Sequence, residues 1–202
     1  MNNYNLVTKN IIKELSLIVG EKNIYIDKEN LKSYGHDETE NLNFPPEVLL
    51  KPLNTKEVAE VMKLAFLKNI PVTPIGARTG LSGGSLCVHG GIGLSMERFN
   101  NILKIDLDNL QIKVQPGVIT QTLQEEVAKE GLYYAPDPAS KGSCFIGGNI
   151  AENSGGPRAV KYGVTKDFVL NLEVVLPDGK IVNTGADTLK NSTGDNLTQL
   201  IV

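Results

Sequence analysis

Residues 70–84 read IPVTPIGARTGLSGG. An apolar run ending at Ile75 passes directly into a segment holding Gly76, Gly80, Gly83 and Gly84. The first half reads as a strand and the second as a loop. Neither G-x-G-x-x-G nor G-x-x-x-x-G-K-[ST] fits, so neither the dinucleotide fingerprint nor the P-loop applies. Glycine lets backbone N–H groups converge on an anion, because no Cβ blocks the approach. Thr79 and Ser82 add hydroxyl donors. On these residues alone an anion-binding loop and a glycine-rich surface turn fit equally well.

Upstream, EVLLKP (47–52) reads as a short buried strand. Asn54 and Glu57 form a capping-box pattern, and Val58, Val61, Met62 and Ala65 make one apolar helix face running to about Lys68. Downstream, Gly91–Ser95 reads as a strand, with a helical turn around Met96–Asn100. Strands alternating with helices predict a small α/β unit with partly parallel pairing. A first helix is expected over Tyr4–Val19, stopped by Gly20. The polar stretch NLKSYGHDETENLNFPP (30–46) reads as loop and turn. Beyond Asn101 the texture changes. ILKIDLDNLQIKVQPGV (102–118) alternates apolar and polar residues, as a half-buried antiparallel hairpin does. Thr120–Glu130 reads as a helix ended by Gly131, and FVLNLEVVLPDGKIVNTG (168–185) as a hairpin turning at Pro177-Asp178-Gly179. Two subdomains are therefore expected, 1–100 and 101–202.

A second glycine cluster lies at 135–163, APDPASKGSCFIGGNIAENSGGPRAVKYG, with six glycines. Pro136 and Pro138 stiffen the chain around Asp137. The run Ile146–Ala151 offers a small, apolar face suited to a flat ring, and Asn149, Asn153 and Ser154 offer polar contacts. The competing reading is a long irregular loop, which in compact domains is usually functional. Two such clusters on differently textured subdomains suggest a shared ligand, one loop clamping an anion and the other lining a ring.

Composition narrows the class. A net charge of −3 over 202 residues supplies no basic excess for nucleic acid. No run of about 18 apolar residues predicts a transmembrane segment. The start, MNNYNLVTKNIIKEL, lacks the pattern of a secretory signal. Cys87 and Cys144 lack metal-like spacing and read as reduced thiols of a cytoplasmic protein. The ending, LTQLIV, reads as a segment still under way, so a longer protein is expected.

PVTPIGARTGLSGG resembles the phosphate-binding loop of the FAD-binding domain of the vanillyl-alcohol oxidase and p-cresol methylhydroxylase superfamily. PDPASKGSCFIGGNIAENSGGPRAVKYGVTKDFVLNLEVVLPDGKIV resembles the second flavin-binding stretch of its glycolate oxidase and D-lactate dehydrogenase branch. The resemblance covers roughly residues 35–202. It implies an α+β, two-subdomain FAD-binding fold: a small α/β subdomain, then an α+β subdomain with a mainly antiparallel sheet, and FAD between them. It implies that the chain around Pro74, Gly76, Ala77, Arg78, Thr79, Gly80, Leu81, Ser82 and Gly83 cradles the pyrophosphate. It implies that Pro136, Asp137, Ser140, Gly147, Gly148, Asn149, Ala151, Asn153, Ser154, Gly156 and Gly163 line the ribityl chain and isoalloxazine ring. Some members tether flavin through a histidine, but His36 and His89 match no such position, so non-covalent FAD is expected. The implied reaction is oxidation of a small-molecule 2-hydroxy acid, with a possible electron-transfer partner subunit. The resemblance places the base and the substrate's carboxylate contacts in a substrate domain beyond residue 202, so no catalytic residue and no metal ligand is expected within this chain, which alone is expected to be inactive.

Single residues weigh as follows. Arg78 is read as acting in or near the phosphate loop rather than as a solvated charge. His36, Asp37 and His89 read as surface or turn residues, and Cys144 as a small packed side chain. Asp106 and Asp108 read as a solvated face rather than a metal site. Two other functions stay open: an oxidase of another substrate class in the superfamily, and a non-catalytic flavin-binding subunit of an electron-transfer complex.

Overall fold

Val48, Leu49 and Leu50 form strand β2, and all three are fully buried. Successive strand residues face opposite ways, so a strand apolar on both faces must be covered on both. Val48 and Leu50 pack into one core with Ile92, Leu94, Val58, Val61 and Leu15. Leu49 packs into another with Ile75, Cys87 and Tyr34. The computed structural model describes residues 4–190, 192 and 194–202. The opening MNN, part of the stretch read for a leader, lies outside them.

The chain divides into two compact units, one running to Phe99 and including Val175–Ile181, the other comprising Asn100–Val174 and Val182–Val202. In the first, helix α1 (Lys9–Val19) precedes β1 (Ile24–Tyr25), α2 (Lys28–Ser33), β2, α3 (Thr55–Leu67), β3 (Val72–Ile75) and β4 (Ile92–Ser95). The sheet order is β1-β2-β4-β3. Strands β2 and β3 both run parallel to β4, and β1 is antiparallel to β2.

The capping signal at α3 holds: Asn54 Oδ1 accepts from Glu57 N at 3.0 Å, and Glu57 Oε2 accepts from Leu53 N at 2.8 Å. Two expectations change. Helix α1 starts at Lys9 rather than Tyr4, because Thr8 caps it through a bond from Ile11 N. The residues before it are tied elsewhere, Val7 N to Glu47 Oε2 at 2.7 Å and Asn5 N to Asn69 O at 2.9 Å. The stretch read as loop from residue 30 begins inside α2, which Asp27 caps by accepting from Asn30 N at 3.0 Å.

In the second unit, β5 (Ile102–Asp106) and β6 (Gln111–Val114) form the expected antiparallel hairpin. Helix α4 (Thr120–Lys129) follows, with Gly131 at φ 73° after its end. Val118, Leu123, Val127 and Ile146 form this unit's core, with Ile102, Ile112, Val114 and Ile150 against it. The segment 135–163 is not wholly irregular: it contains α5 (Ile146–Ala151) and α6 (Ala159–Tyr162). Strands β7 (Glu173–Val175) and β8 (Ile181–Asn183) make the second hairpin, and α7 (Leu197–Ile201) lies near the end of the chain. The fold is α+β. Among the described residues, no helix is long and apolar enough to cross a membrane.

Candidate functional site

Loop 76–84 leaves the carboxyl end of β3, beside the carboxyl ends of the parallel strands β2 and β4. In open sheets with parallel strands this edge is where ligands bind, because loops diverge there and leave a crevice. Pro74 lies within β3 itself, paired with Leu94. Gly76, Ala77, Arg78 and Thr79 are half-buried, while Gly80, Leu81 and Ser82 are exposed. Arg78 and Gly83 adopt left-handed backbone, φ 61° and 73°. For arginine that conformation is strained, and such strain concentrates at functional loops. Ser85 Oγ, at the loop's end, is buried without a hydrogen-bond partner.

Gly76 and Gly80 show why the loop needs glycine. A Cβ at either would meet no atom within 4 Å, and neither sits in the left-handed region. Neither conformation nor internal packing therefore requires glycine there. A ligand lying against the backbone would require it. Gly148, on α5, has the same property. Each of these three positions leaves room beside the main chain, and all lie in the two segments singled out by sequence.

Gly147, Gly156 and Gly163 of the second segment have internal reasons. A Cβ on Gly147 would stand 2.8 Å from Pro116 Cβ. On Gly156, at φ 121°, it would stand 2.0 Å from the Asp137 carbonyl oxygen. On Gly163, at φ 91°, it would stand 2.4 Å from Asp167 Oδ2. Gly156 thus lets two stretches of this segment touch, and Asp137 N donates to Gly155 O at 3.1 Å beside it.

The polar residues are mostly engaged within the unit. Asn149 is buried and donates to Thr120 Oγ1 at 2.5 Å. Asn153, at φ 45°, accepts from Lys166 N at 3.0 Å. Ser154 N donates to Asn149 O, and Ser154 O accepts from Thr165 Oγ1 at 2.6 Å. Ser140 O accepts from Ser143 N and Cys144 N, each at 2.8 Å. Pro136 O accepts from Gln124 Nε2 at 2.8 Å. Asp137 pairs with Lys141 Nζ at 2.6 Å and lies 3.4 Å from Arg158 Nε. The Lys141 bond, aided by the Arg158 charge, holds the Asp137 carboxyl below its ordinary range. Ala151 is exposed at the end of α5.

One cluster went unread in the sequence. Tyr34, read within a polar loop, is buried, and its hydroxyl donates to Glu97 Oε1 at 2.6 Å. Lys51 Nζ pairs with the same oxygen, and the Arg78 guanidinium lies 4.3 Å from the centre of the Tyr34 ring. Burial works to raise the Glu97 carboxyl, but the bonds from Lys51 and Tyr34 outweigh it and lower it overall. Burial also opposes charge on Lys51, and again Glu97 prevails, so its ammonium is raised. Burial and the Glu97 bond push the Tyr34 phenol up. The capping Asp27 on α2 was the available hint that this stretch is ordered.

The remaining candidates are placed as their local contacts dictate. His36 is exposed, and His89 is exposed with its ring 5.4 Å from that of Tyr4. Asp37 is buried and accepts from Thr39 N at 2.9 Å. Asp106 accepts from Asn109 N in the β5–β6 turn. Cys87 and Cys144 are free and buried, and burial pushes the Cys87 thiol up.

The scaffold is thus an α+β fold carrying two glycine-rich segments. Residues 46–185 match the family described as FAD binding domain, and the chain belongs to that family. It is 43% identical over 200 residues to a D-lactate dehydrogenase of Anaerostipes hadrus, covering 98% of this chain and 42% of that protein. It is 40% identical over 197 residues to the glycolate oxidase protein GlcD of Bacillus subtilis, with the same coverage, 98% and 42%. The chain therefore spans less than half the length of these relatives. In structure it resembles p-cresol methylhydroxylase with substrate bound (TM-score 0.76, 21% identity, 94% of this chain and 39% of that one), which supports the vanillyl-alcohol oxidase and p-cresol methylhydroxylase type of fold.

Proposed function

We propose that this chain is the FAD-binding part of a flavin-dependent oxidoreductase acting on a 2-hydroxy acid of the glycolate or D-lactate type. The observation that carries it is the open space at the Cβ positions of Gly76, Gly80 and Gly148, where nothing in the chain itself demands glycine. The relatives named above supply the substrate class. FAD held there would supply the hydride acceptor for oxidation at the substrate's C2, with the hydroxyl proton going to a base. The chain's own part is to bind and orient. The main chain of 76–83 holds the pyrophosphate, and α5 with the segment after it supports the flavin. Gly147, Asn149, Asn153, Gly156 and Gly163 act there by shaping backbone. Non-covalent FAD fits the positions of His36 and His89, both outside the two segments.

The test uses full-length protein. Denaturation of the pure protein should release FAD with the absorbance of oxidised flavin. Anaerobic glycolate or D-lactate should then bleach the bound flavin. Absence of FAD overturns the cofactor assignment. Retained FAD that no 2-hydroxy acid reduces overturns the substrate class, and favours another substrate or a non-catalytic flavin-binding role.

A further inference from the structure

Arg78 is the one arginine in loop 76–84, and its charge invites a role as a phosphate ligand. Its side chain is committed elsewhere. Its Nη1 donates to the Ser33 carbonyl at the end of α2, and its guanidinium lies over the Tyr34 ring, 4.3 Å from the centre. A second tie runs alongside, Glu38 N donating to Gly80 O at 3.1 Å. Residues 33–38 thus grip the loop at two points. That grip is itself anchored to the sheet edge, because the Tyr34 hydroxyl binds Glu97, which pairs with Lys51 just beyond β2. The Arg78 backbone is left-handed, a conformation arginine adopts only when its surroundings impose it.

We propose that Arg78 is a positioning residue: its guanidinium, clamped between the Ser33 carbonyl and the Tyr34 ring, fixes the shape of loop 76–84. The pyrophosphate is left to the loop's backbone N–H groups. Three features support this over direct ligation. An arginine stacked on an aromatic face with a donor spent on a carbonyl has fewer N–H groups left for phosphate. The strained φ at Arg78 falls between Gly76 and Gly80, the residues with open Cβ space. The partner ring is itself immobilised by burial and by Glu97. The inference rests on the FAD reading of this loop.

The experiment measures FAD affinity in deflavinated full-length protein for Arg78→Ala, Arg78→Gly, Tyr34→Leu, Tyr34→Phe and the Tyr34→Leu/Arg78→Ala double variant. Alanine loses the clamp and keeps the unfavourable left-handed backbone, whereas glycine accepts that backbone freely. Arg78→Ala is expected to weaken binding about tenfold and Arg78→Gly only about threefold. Tyr34→Leu should weaken it about tenfold, with Tyr34→Phe, which keeps the ring face, within about threefold of the parent. The double variant should be no weaker than about the worse single, since both changes break one contact. Equal losses for Arg78→Ala and Arg78→Gly, with Tyr34→Leu unaffected, would identify Arg78 as a direct ligand and overturn the proposal. The comparison at position 78 stands even if Tyr34→Leu fails to fold. Hydrogen exchange of residues 76–84 in the flavin-free protein separates this from the cofactor assignment. It should quicken about tenfold in Arg78→Ala, as expected when a tethered loop is freed. Unchanged exchange overturns the clamp; a parent protein that binds no FAD overturns the function but leaves this arm to decide.

Discussion

Gly148→Ala separates the needs of the fold from those of the ligand. Gly148 is the third residue of α5, and a Cβ there meets nothing within 4 Å. Alanine is favoured over glycine in a helix by about 0.5–1 kcal/mol, and the first turn takes the lower end of that range. With no clash to offset it, the flavin-free protein should gain about 0.5 kcal/mol, a rise of about 1–2 °C in Tm for a chain of this size. If a ring lies against the backbone at this point, the added methyl occupies its space. Overpacking of a close contact costs about 1–3 kcal/mol, so FAD affinity should fall by about 5-fold to about 150-fold. Thermal melts of deflavinated protein and titration with FAD by flavin fluorescence read the two effects. Their opposite signs make general damage an inadequate explanation. A variant that binds FAD as tightly as the parent would refute a backbone-lined flavin site at α5.

Three further outcomes follow from other contacts. Gly156→Ala places a Cβ 2.0 Å from the Asp137 carbonyl oxygen at a left-handed φ, so urea unfolding should show a loss of about 3 kcal/mol or more. Burial pushes the Tyr134 phenol up to about 12, above its ordinary 10.0. Its contribution is complete below pH 10 and lost as pH rises toward 12, about 3 kcal/mol, and Tyr134→Phe should lose less stability over that interval. Asp137 is lowered by Lys141 and Arg158, so its contribution is present above its ordinary 3.8 and lost as pH falls through the lower folded value. Urea midpoints of Asp137→Asn should therefore fall less steeply than the parent's in that acid range; an unchanged slope would show the pairs idle.

Local patterns were legible because they are settled by neighbours in sequence. Asn54 and Glu57 sit three apart, so the start of α3 could be read without the fold. Val48–Leu50, apolar at every position, could only be a covered strand. What the sequence misplaced depended on distant partners. The start of α1 moved because the residues before it bind Glu47 and Asn69. The order of α2 and the burial of Tyr34 went unseen because the groups that cover Tyr34 come from β2, β3, loop 76–84 and Glu97 beyond β4.

The sequence by itself determined the two glycine-rich segments, their order and the change of texture after residue 100, since backbone freedom and periodicity are properties of composition and spacing, and its motifs carried the resemblance to the FAD family that implied the α+β fold. It could not tell one glycine from another. Only the tertiary structure decided that Gly156 serves a backbone crossing while Gly76, Gly80 and Gly148 leave open space. Only it turned Arg78 toward Tyr34 and Asn149 toward Thr120. The reason is physical: where a side chain's charge or amide is satisfied depends on which distant groups folding brings within hydrogen-bond reach.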